Sequence, residues 1–178
     1  PLKGWANKMN TRNMKKIIFI TLLFSVAFPQ VPAPTFFLPT LSGKNFFASN
    51  LYGEKAKNPK VTVISFSASW CGPCQKEIKA LDSLSVKFPE VGFYLIDYKE
   101  KKAIVQKWVN KINTKIPVLL DNYGVVTKKF KVAKKDEKGK LQVNLPTLFV
   151  INKKGEIIYS HTGYKDEDAE KLIDILGK

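Results

Sequence analysis

The feature that most constrains this sequence is a cysteine pair, Cys71 and Cys74, at the junction of a predicted strand and a predicted helix. Residues 61–66 form a run of β-branched and aromatic side chains, which is typical of a buried strand. Gly72-Pro73 then opens the helix, because proline is tolerated at a first helical position whose N–H has no partner. The helix ends at Pro89, and its apolar side is formed by residues at steps of three and four, namely Ile78, Leu81, Leu84 and Phe88.

The two cysteines are the only ones among 178 residues, and they favour redox chemistry over a structural role. A disulfide framework needs more cysteines at wider spacing. A structural zinc site needs three or four ligands, whereas the sequence has a single histidine, His161, which we expect at the surface. We therefore expect neither a metal nor another cofactor.

Position assigns a different task to each cysteine. The reactive form is the thiolate, and a helix N-terminus favours this anion because it presents unpaired N–H groups and about half a positive charge. Cys71 directly precedes the helix, so we expect it to attack a partner disulfide. Cys74 lies one turn inside the helix and is expected to resolve the mixed disulfide.

The remaining pattern predicts one α/β domain over residues 35–178. Because strands alternate with helices, we expect parallel pairing early in the sheet and an antiparallel edge from a late hairpin. The predicted segments are a hairpin (36–38 with 45–47), a strand (91–97), a helix (100–112), an extended segment (117–120), a short helix (123–132), a charged turn (134–140), a hairpin (147–151 with 156–159) and a final helix (166–176).

The first 34 residues are expected to lie outside this domain. Residues 1–13 precede Met14 and are interpreted as an added or over-extended start, and 28–34 as a short linker. Residues 14–27 combine basic residues, an apolar run and small residues, which predicts a secretory signal peptide cleaved after Ala27. An uncleaved anchor is the weaker alternative, because the apolar run is well short of the roughly 20 residues that span a bilayer. Export would place the cysteine pair where disulfides persist.

The formal net charge of +15 restricts the partners. Most lysines are scattered in pairs and are expected on a solvated surface. A lesser expectation is attraction toward an anionic membrane or acidic partners. Nucleic-acid binding is not expected, because no basic stripe with interleaved aromatics and no nucleic-acid motif is present.

Residues 61–88, which contain Ser-Phe-Ser-Ala-Ser-Trp-Cys-Gly-Pro-Cys-Gln-Lys-Glu from Ser65 to Glu77, resemble the thioredoxin superfamily. Within it they are similar to the exported TlpA- and ResA-like thiol–disulfide oxidoreductases of the type used in cytochrome c maturation. A second matching segment runs over residues 145–156. The resemblance covers about residues 35–178 and implies a thioredoxin-like fold, with a central mixed sheet, helices on both faces, an N-terminal hairpin and an extra helix after the second strand.

The resemblance also implies the surroundings of the cysteine pair. Pro146 should follow a cis peptide bond and face the active site, and a tertiary amide makes cis accessible. The backbone of Leu145 would then offer hydrogen bonds to a substrate peptide. Trp70 is expected to shield the disulfide or to pack beside it. Gly72 and Pro73 match thioredoxin itself, for which a potential of about −270 mV is typical, at the reducing end of the range.

Glu77 is the candidate for proton exchange with Cys74. It lies three residues after Cys74 on the same helix face, where no lysine is placed to pair with it, so we expect a raised pKa. ResA-like proteins carry a glutamate at this offset. Thioredoxin carries a buried aspartate six residues before its first cysteine, and Ser65 stands there in this sequence. The alternative for Glu77 is a solvated helix residue.

These features predict a monomeric reductant of protein disulfides outside the cytoplasm, which regains its electrons from a membrane thiol donor. One departure weakens the cytochrome c assignment: Gly72 stands where members linked to that pathway often carry an acidic residue. Lys79 is a second departure, because the exported branch often has a proline at this position. An oxidase or isomerase is the main alternative, although those enzymes usually place histidine between the cysteines. A thiol peroxidase would need an arginine, and none follows Arg12. The intact cysteines argue against a non-catalytic binding module.

Overall fold

A computed structural model describes residues 31–178. The predicted signal peptide over 14–27, its cleavage after Ala27 and the extra start over 1–13 lie outside the described residues. Within 31–178, no helix combines the length and the apolar character needed to cross a bilayer.

The described residues form strands and helices in the following order. The strands are β1 (Val31–Pro32), β2 (Phe37–Pro39), β3 (Asn45–Phe47), β4 (Thr62–Ser67), β5 (Gly92–Tyr98), β6 (Val118–Asp121), β7 (Ala133–Lys135), β8 (Leu141–Val143), β9 (Thr147–Ile151) and β10 (Glu156–Thr162). The helices are α1 (Gly72–Lys87), α2 (Lys102–Ile112), α3 (Val125–Lys129) and α4 (Asp166–Leu176). A 3-10 turn, Ala48–Asn50, follows β3.

The central sheet has the order β1-β10-β9-β4-β5-β6. β4, β5 and β6 run parallel, whereas β9 is antiparallel to β4 and to β10. Every residue of β4 is buried, as its apolar run predicted for a strand covered on both faces. The expected mixed sheet is therefore confirmed, with one difference. The late hairpin packs directly against β4 through β9 and is not confined to the edge.

The two faces of the sheet are covered by different elements. Successive parallel crossovers in the same direction place α1 and α2 on one face, and α4 joins them there, as shown by the shared core around Ile78, Trp108 and Leu172. The β2–β3 hairpin, the 3-10 turn and α3 cover the other face around Phe66 and Val126. The thioredoxin-like fold, with helices on both faces, the N-terminal hairpin and the extra helix α2, is thus confirmed.

Two segments differ from the sequence-based expectations. Residues 28–34 were predicted as a linker, but Val31 and Pro32 pair with β10 as the edge strand β1. The charged turn predicted over 134–140 is the tip of an antiparallel hairpin, because β7 and β8 pair on either side of it. Asp136 closes this tip by accepting hydrogen bonds from the backbone N–H groups of Lys138 and Lys140.

Candidate active site

The cysteine pair lies where the chain leaves β4 and enters α1. The turn after β4 is closed by a hydrogen bond from Cys71 N to Ala68 O at 3.0 Å. Cys71 is the N-cap residue of α1, and its Sγ accepts a hydrogen bond from Cys74 N at 3.3 Å. The two sulfurs are joined in a disulfide with a Cα–Cα distance of 5.3 Å. Cys71 retains 4% exposure and Cys74 none, so the helix-capping sulfur is the more accessible one.

The rim of the disulfide is partly apolar and partly open. Leu145 packs against Cys71, Cys74 and Ala68, and the Leu145–Pro146 peptide bond is cis, as predicted. Gly72 and Pro73 are exposed beside it. Trp70 is 61% exposed, and the apolar cluster around the disulfide does not include it. Leu145 and Ala68 pack against the disulfide. The expectation that Trp70 shields the disulfide or packs beside it stays a prediction.

Glu77 lies on the side of α1 that faces the sheet and is fully buried, so the alternative of a solvated helix glutamate is wrong. Its Oε2 accepts a hydrogen bond from Ser65 Oγ in β4, and its Oε1 lies 2.8 Å from Nε2 of His161 in β10. Ser65, which stands where thioredoxin has its buried aspartate, thus helps to position the Glu77 carboxylate of α1.

His161 is not the surface residue that the sequence predicted. Its side chain is only 11% exposed and pairs with Glu77. A β-bulge accounts for this burial. The register between β9 and β10 shifts between Ile157 and Tyr159, which changes the face of the sheet to which the following side chains point. After the bulge, Tyr159 and His161 face the side of the sheet that carries α1. Alternation along the strand was visible in the sequence, but nothing in it marked the bulge.

A second acidic group supports the turn that leads to Cys71. Glu100 accepts hydrogen bonds at 2.6 Å from both the backbone N–H and the hydroxyl of Ser69. Asp97 is 1% exposed, and its Oδ1 accepts a hydrogen bond from Glu100 N at 3.3 Å. Sequence reasoning missed both residues. The available signal was their position at the end of β5 and just after it, because the carboxyl ends of adjacent parallel strands lie at the same edge of a sheet.

The environment of Asp97 favours its neutral form. Burial, followed by the nearby carboxyl group of Glu100, raises the pKa of Asp97 to about 8, although the hydrogen bond from Glu100 N acts in the opposite direction. Asp97 Oδ2 and the Oγ of Ser67, its partner in the adjacent strand, have no hydrogen-bond partner among the described residues. Asp97 is thus protonated at neutral pH. It lies beside Ser67, where β4 ends and the turn toward Cys71 begins. Across residues 31–178, no cluster of His, Cys, Asp and Glu side chains is suited to hold a metal ion.

Known proteins are similar to this chain in sequence and in fold. Residues 29–160 match the sequence model of the AhpC/TSA family. Thiol-disulfide oxidoreductase ResA of Bacillus thuringiensis is 30% identical over 148 residues, which are 82% of this chain and 75% of that protein. Sporulation thiol-disulfide oxidoreductase A of Bacillus subtilis is 29% identical over 136 residues, 72% of this chain and 70% of that protein.

Among solved structures, StoA of Bacillus subtilis aligns with a TM-score of 0.62 over 84% of this chain and all of that chain. At 24% identity this likeness supports the fold. The family match, the relatives and the disulfide at the start of α1 agree with one another. The chain belongs to the AhpC/TSA family of thioredoxin-like proteins, and it is a thiol–disulfide oxidoreductase.

Proposed function

We propose that this oxidoreductase reduces disulfides of other proteins outside the cytoplasm, with Cys71 as the attacking sulfur and Cys74 as the resolving one. The observation that carries this proposal is the difference between the two sulfurs. Cys71 caps α1 beside the exposed Gly72 and Pro73, while Cys74 is fully buried one turn later. An incoming disulfide can reach the first sulfur without displacing the core around the second.

The first chemical step is attack of the Cys71 thiolate on a substrate sulfur. The α1 N-terminus and the N–H of Cys74 stabilise this thiolate, because both present positive charge to the sulfur. A new S–S bond forms to the substrate, the substrate disulfide breaks, and its other sulfur leaves with the electron pair. The Cys74 thiolate then attacks Cys71 Sγ, which restores the internal disulfide and releases the second substrate sulfur.

Substrate recognition is assigned to the rim of the disulfide. Within residues 31–178, the backbone of Leu145 makes no backbone–backbone hydrogen bond to the loops around it, so it is available to an extended substrate segment in the manner of an added strand. The cis Pro146 holds this backbone beside the disulfide. The exposed ring of Trp70 and the exposed Gly72-Pro73 turn, which flank Cys71 in the chain, offer further contact area.

Glu77 is assigned the role of exchanging a proton with Cys74. Both residues are fully buried and lie three positions apart on α1, so solvent does not reach the resolving thiol directly. Ser65 and His161 fix the position of the carboxylate from two different strands. A buried thiol that must lose its proton needs such an acceptor nearby.

The extracytoplasmic location rests on the sequence pattern of residues 14–27, a signal peptide cleaved after Ala27 and followed by a domain over 35–178. A membrane thiol donor would return electrons to the disulfide of this monomeric protein. The net charge of +15 supports a weak attraction to an anionic membrane surface. Cytochrome c maturation is the pathway implied by the ResA-like resemblance, and a disulfide-bonded C-x-x-C-H peptide is the substrate that tests it.

The redox potential separates a reductant from the alternative, an oxidase or isomerase. We expect equilibration with glutathione to give a value near that of thioredoxin, about −270 mV, and insulin to be reduced by the wild type but not by Cys71→Ser. A potential of about −180 mV or higher would contradict the reductant and favour the oxidase or isomerase. Peroxide consumption by the wild type, lost in the same variant, would favour the thiol peroxidase, which the absence of arginine after Arg12 opposes.

A further inference from the structure

The buried carboxylate of Glu77 joins two strands that are not neighbours. Ser65 in β4 and His161 in β10 both face Leu148 of β9 in the strand register. Two strand spacings, roughly 10 Å, therefore separate their backbones. Each of the two Glu77 oxygens is bound to one of these side chains, so the carboxylate spans the strand between them.

His161 connects this carboxylate to the surface. Glu77 has a side-chain exposure of 1%, whereas that of His161 is 11%. The Nε2 atom of His161 faces Glu77, and Nδ1 lies 3.2 Å from the hydroxyl of Tyr159, which is only half-buried. The series Cys74, Glu77, His161 thus runs from a fully buried thiol to a side chain that reaches solvent.

The charges around the imidazole come from three elements. Glu77 faces it from α1. Asp168 lies near it on α4 and pairs with Lys171, and the Tyr164 phenol lies in the preceding loop. Burial opposes the ionised form of Asp168, yet the hydrogen bond from Lys165 N and the charges of His161 and Lys171 lower the pKa of its carboxyl overall. Burial and nearby carboxylates raise the pKa of Tyr159 and of Tyr164, so both phenols stay neutral.

We propose that His161 relays the proton of Cys74 between Glu77 and solvent. This inference rests on the proposed function and adds a residue to it. When Cys74 attacks Cys71 Sγ, its proton passes to the Glu77 carboxylate, while the Cys71–substrate bond breaks and the electron pair leaves on the substrate sulfur. The proton held between Glu77 Oε1 and His161 Nε2 then moves onto the imidazole, and Nδ1, on the other side of the ring, gives up a proton toward water. An imidazole suits this task because it gains and loses a proton near neutral pH.

The wild-type protein allows a direct test, since His161 is its only histidine. Its imidazole resonances can be followed by NMR between about pH 5 and 9 in the disulfide and dithiol states. Because proton uptake at Cys74 and at His161 is coupled through Glu77, we expect the two titration midpoints to differ by about half a pH unit or more. Superimposable curves in the two states would overturn the relay.

A variant tests the same inference kinetically. His161→Gln can still hydrogen-bond Glu77 but cannot carry a proton. We expect the resolving step to slow about tenfold or more, with its pH profile displaced, while iodoacetamide alkylation of Cys71 changes less than about twofold. The matched control is Ser160→Ala, an exposed position on the same strand, which should behave as wild type.

The outcomes separate this inference from the function it rests on. If wild type reduces insulin and His161→Gln resolves at the wild-type rate and pH profile, His161 is not a relay. If wild type itself forms no mixed disulfide, the proposed function fails whatever the variant does. Should His161→Gln not fold, the NMR titration of the wild type decides the question.

Discussion

Replacing Asp97 with Asn is expected to make the stability of the protein less dependent on pH. Burial first, and then Glu100, raises the pKa of Asp97 from 3.8 to about 8, so the native state holds a proton that the unfolded chain releases between those values. Stability is therefore greatest below the unfolded pKa, falls as pH rises toward 8, and levels off above it. The greatest possible slope for one proton is about 1.4 kcal/mol per pH unit.

The variant should reveal the size of this contribution. Asn is neutral at every pH, and its Oδ1 can still accept the hydrogen bond from Glu100 N. The difference in unfolding free energy between variant and wild type should thus grow by about 1–3 kcal/mol from pH 5 to pH 7. Urea unfolding of the oxidised proteins at several pH values measures it. Asp174→Asn, an exposed carboxyl on α4, is the control and should show no such trend. If the difference in unfolding free energy between Asp97→Asn and wild type stays constant with pH, Asp97 is not a protonated carboxyl in the native state.

Three further substitutions test single side chains in and around the site. Ser65→Ala removes the hydroxyl that hydrogen-bonds buried Glu77 and should lower the unfolding free energy by about 1–3 kcal/mol in urea titrations. Ser67→Ala removes a buried hydroxyl without a partner in the described residues, so it should be neutral or stabilising, and equal losses in both variants would contradict this reasoning. Trp70→Ala should change stability by less than about 0.5 kcal/mol because the ring is exposed, yet raise the KM for insulin. An unchanged KM would remove Trp70 from substrate binding.

The local sequence pattern was sufficient to predict those helices and strands whose residue preferences match their surroundings in the fold. The final helix runs over Asp166–Leu176, the predicted bounds, because its acidic first turn and apolar spacing act together. The start of α1 was equally clear, since Gly72-Pro73 marks it. The short strands β7 and β8 were missed because each has only three, mostly exposed residues, which is too short to establish the alternation of a strand with one buried face.

The contacts within the site depend on distant parts of the chain, which explains what the sequence did not predict. Glu77 was singled out from its helical offset to Cys74, but its partner His161 lies 84 residues away. The pair forms only because a bulge in β10 reorients that strand. Likewise, Glu100 reaches Ser69 across 31 residues, through the parallel pairing of β4 and β5.

Trapping of mixed disulfides tests the assignment of the two sulfurs most directly. Reduced Cys74→Ser and Cys71→Ser proteins are incubated with the same disulfide-bonded protein substrate and resolved by non-reducing electrophoresis and peptide mass spectrometry. We predict a stable adduct through Cys71 in Cys74→Ser and little or none in Cys71→Ser, because the only remaining thiol there is buried. An adduct forming equally well through Cys74 would contradict the account.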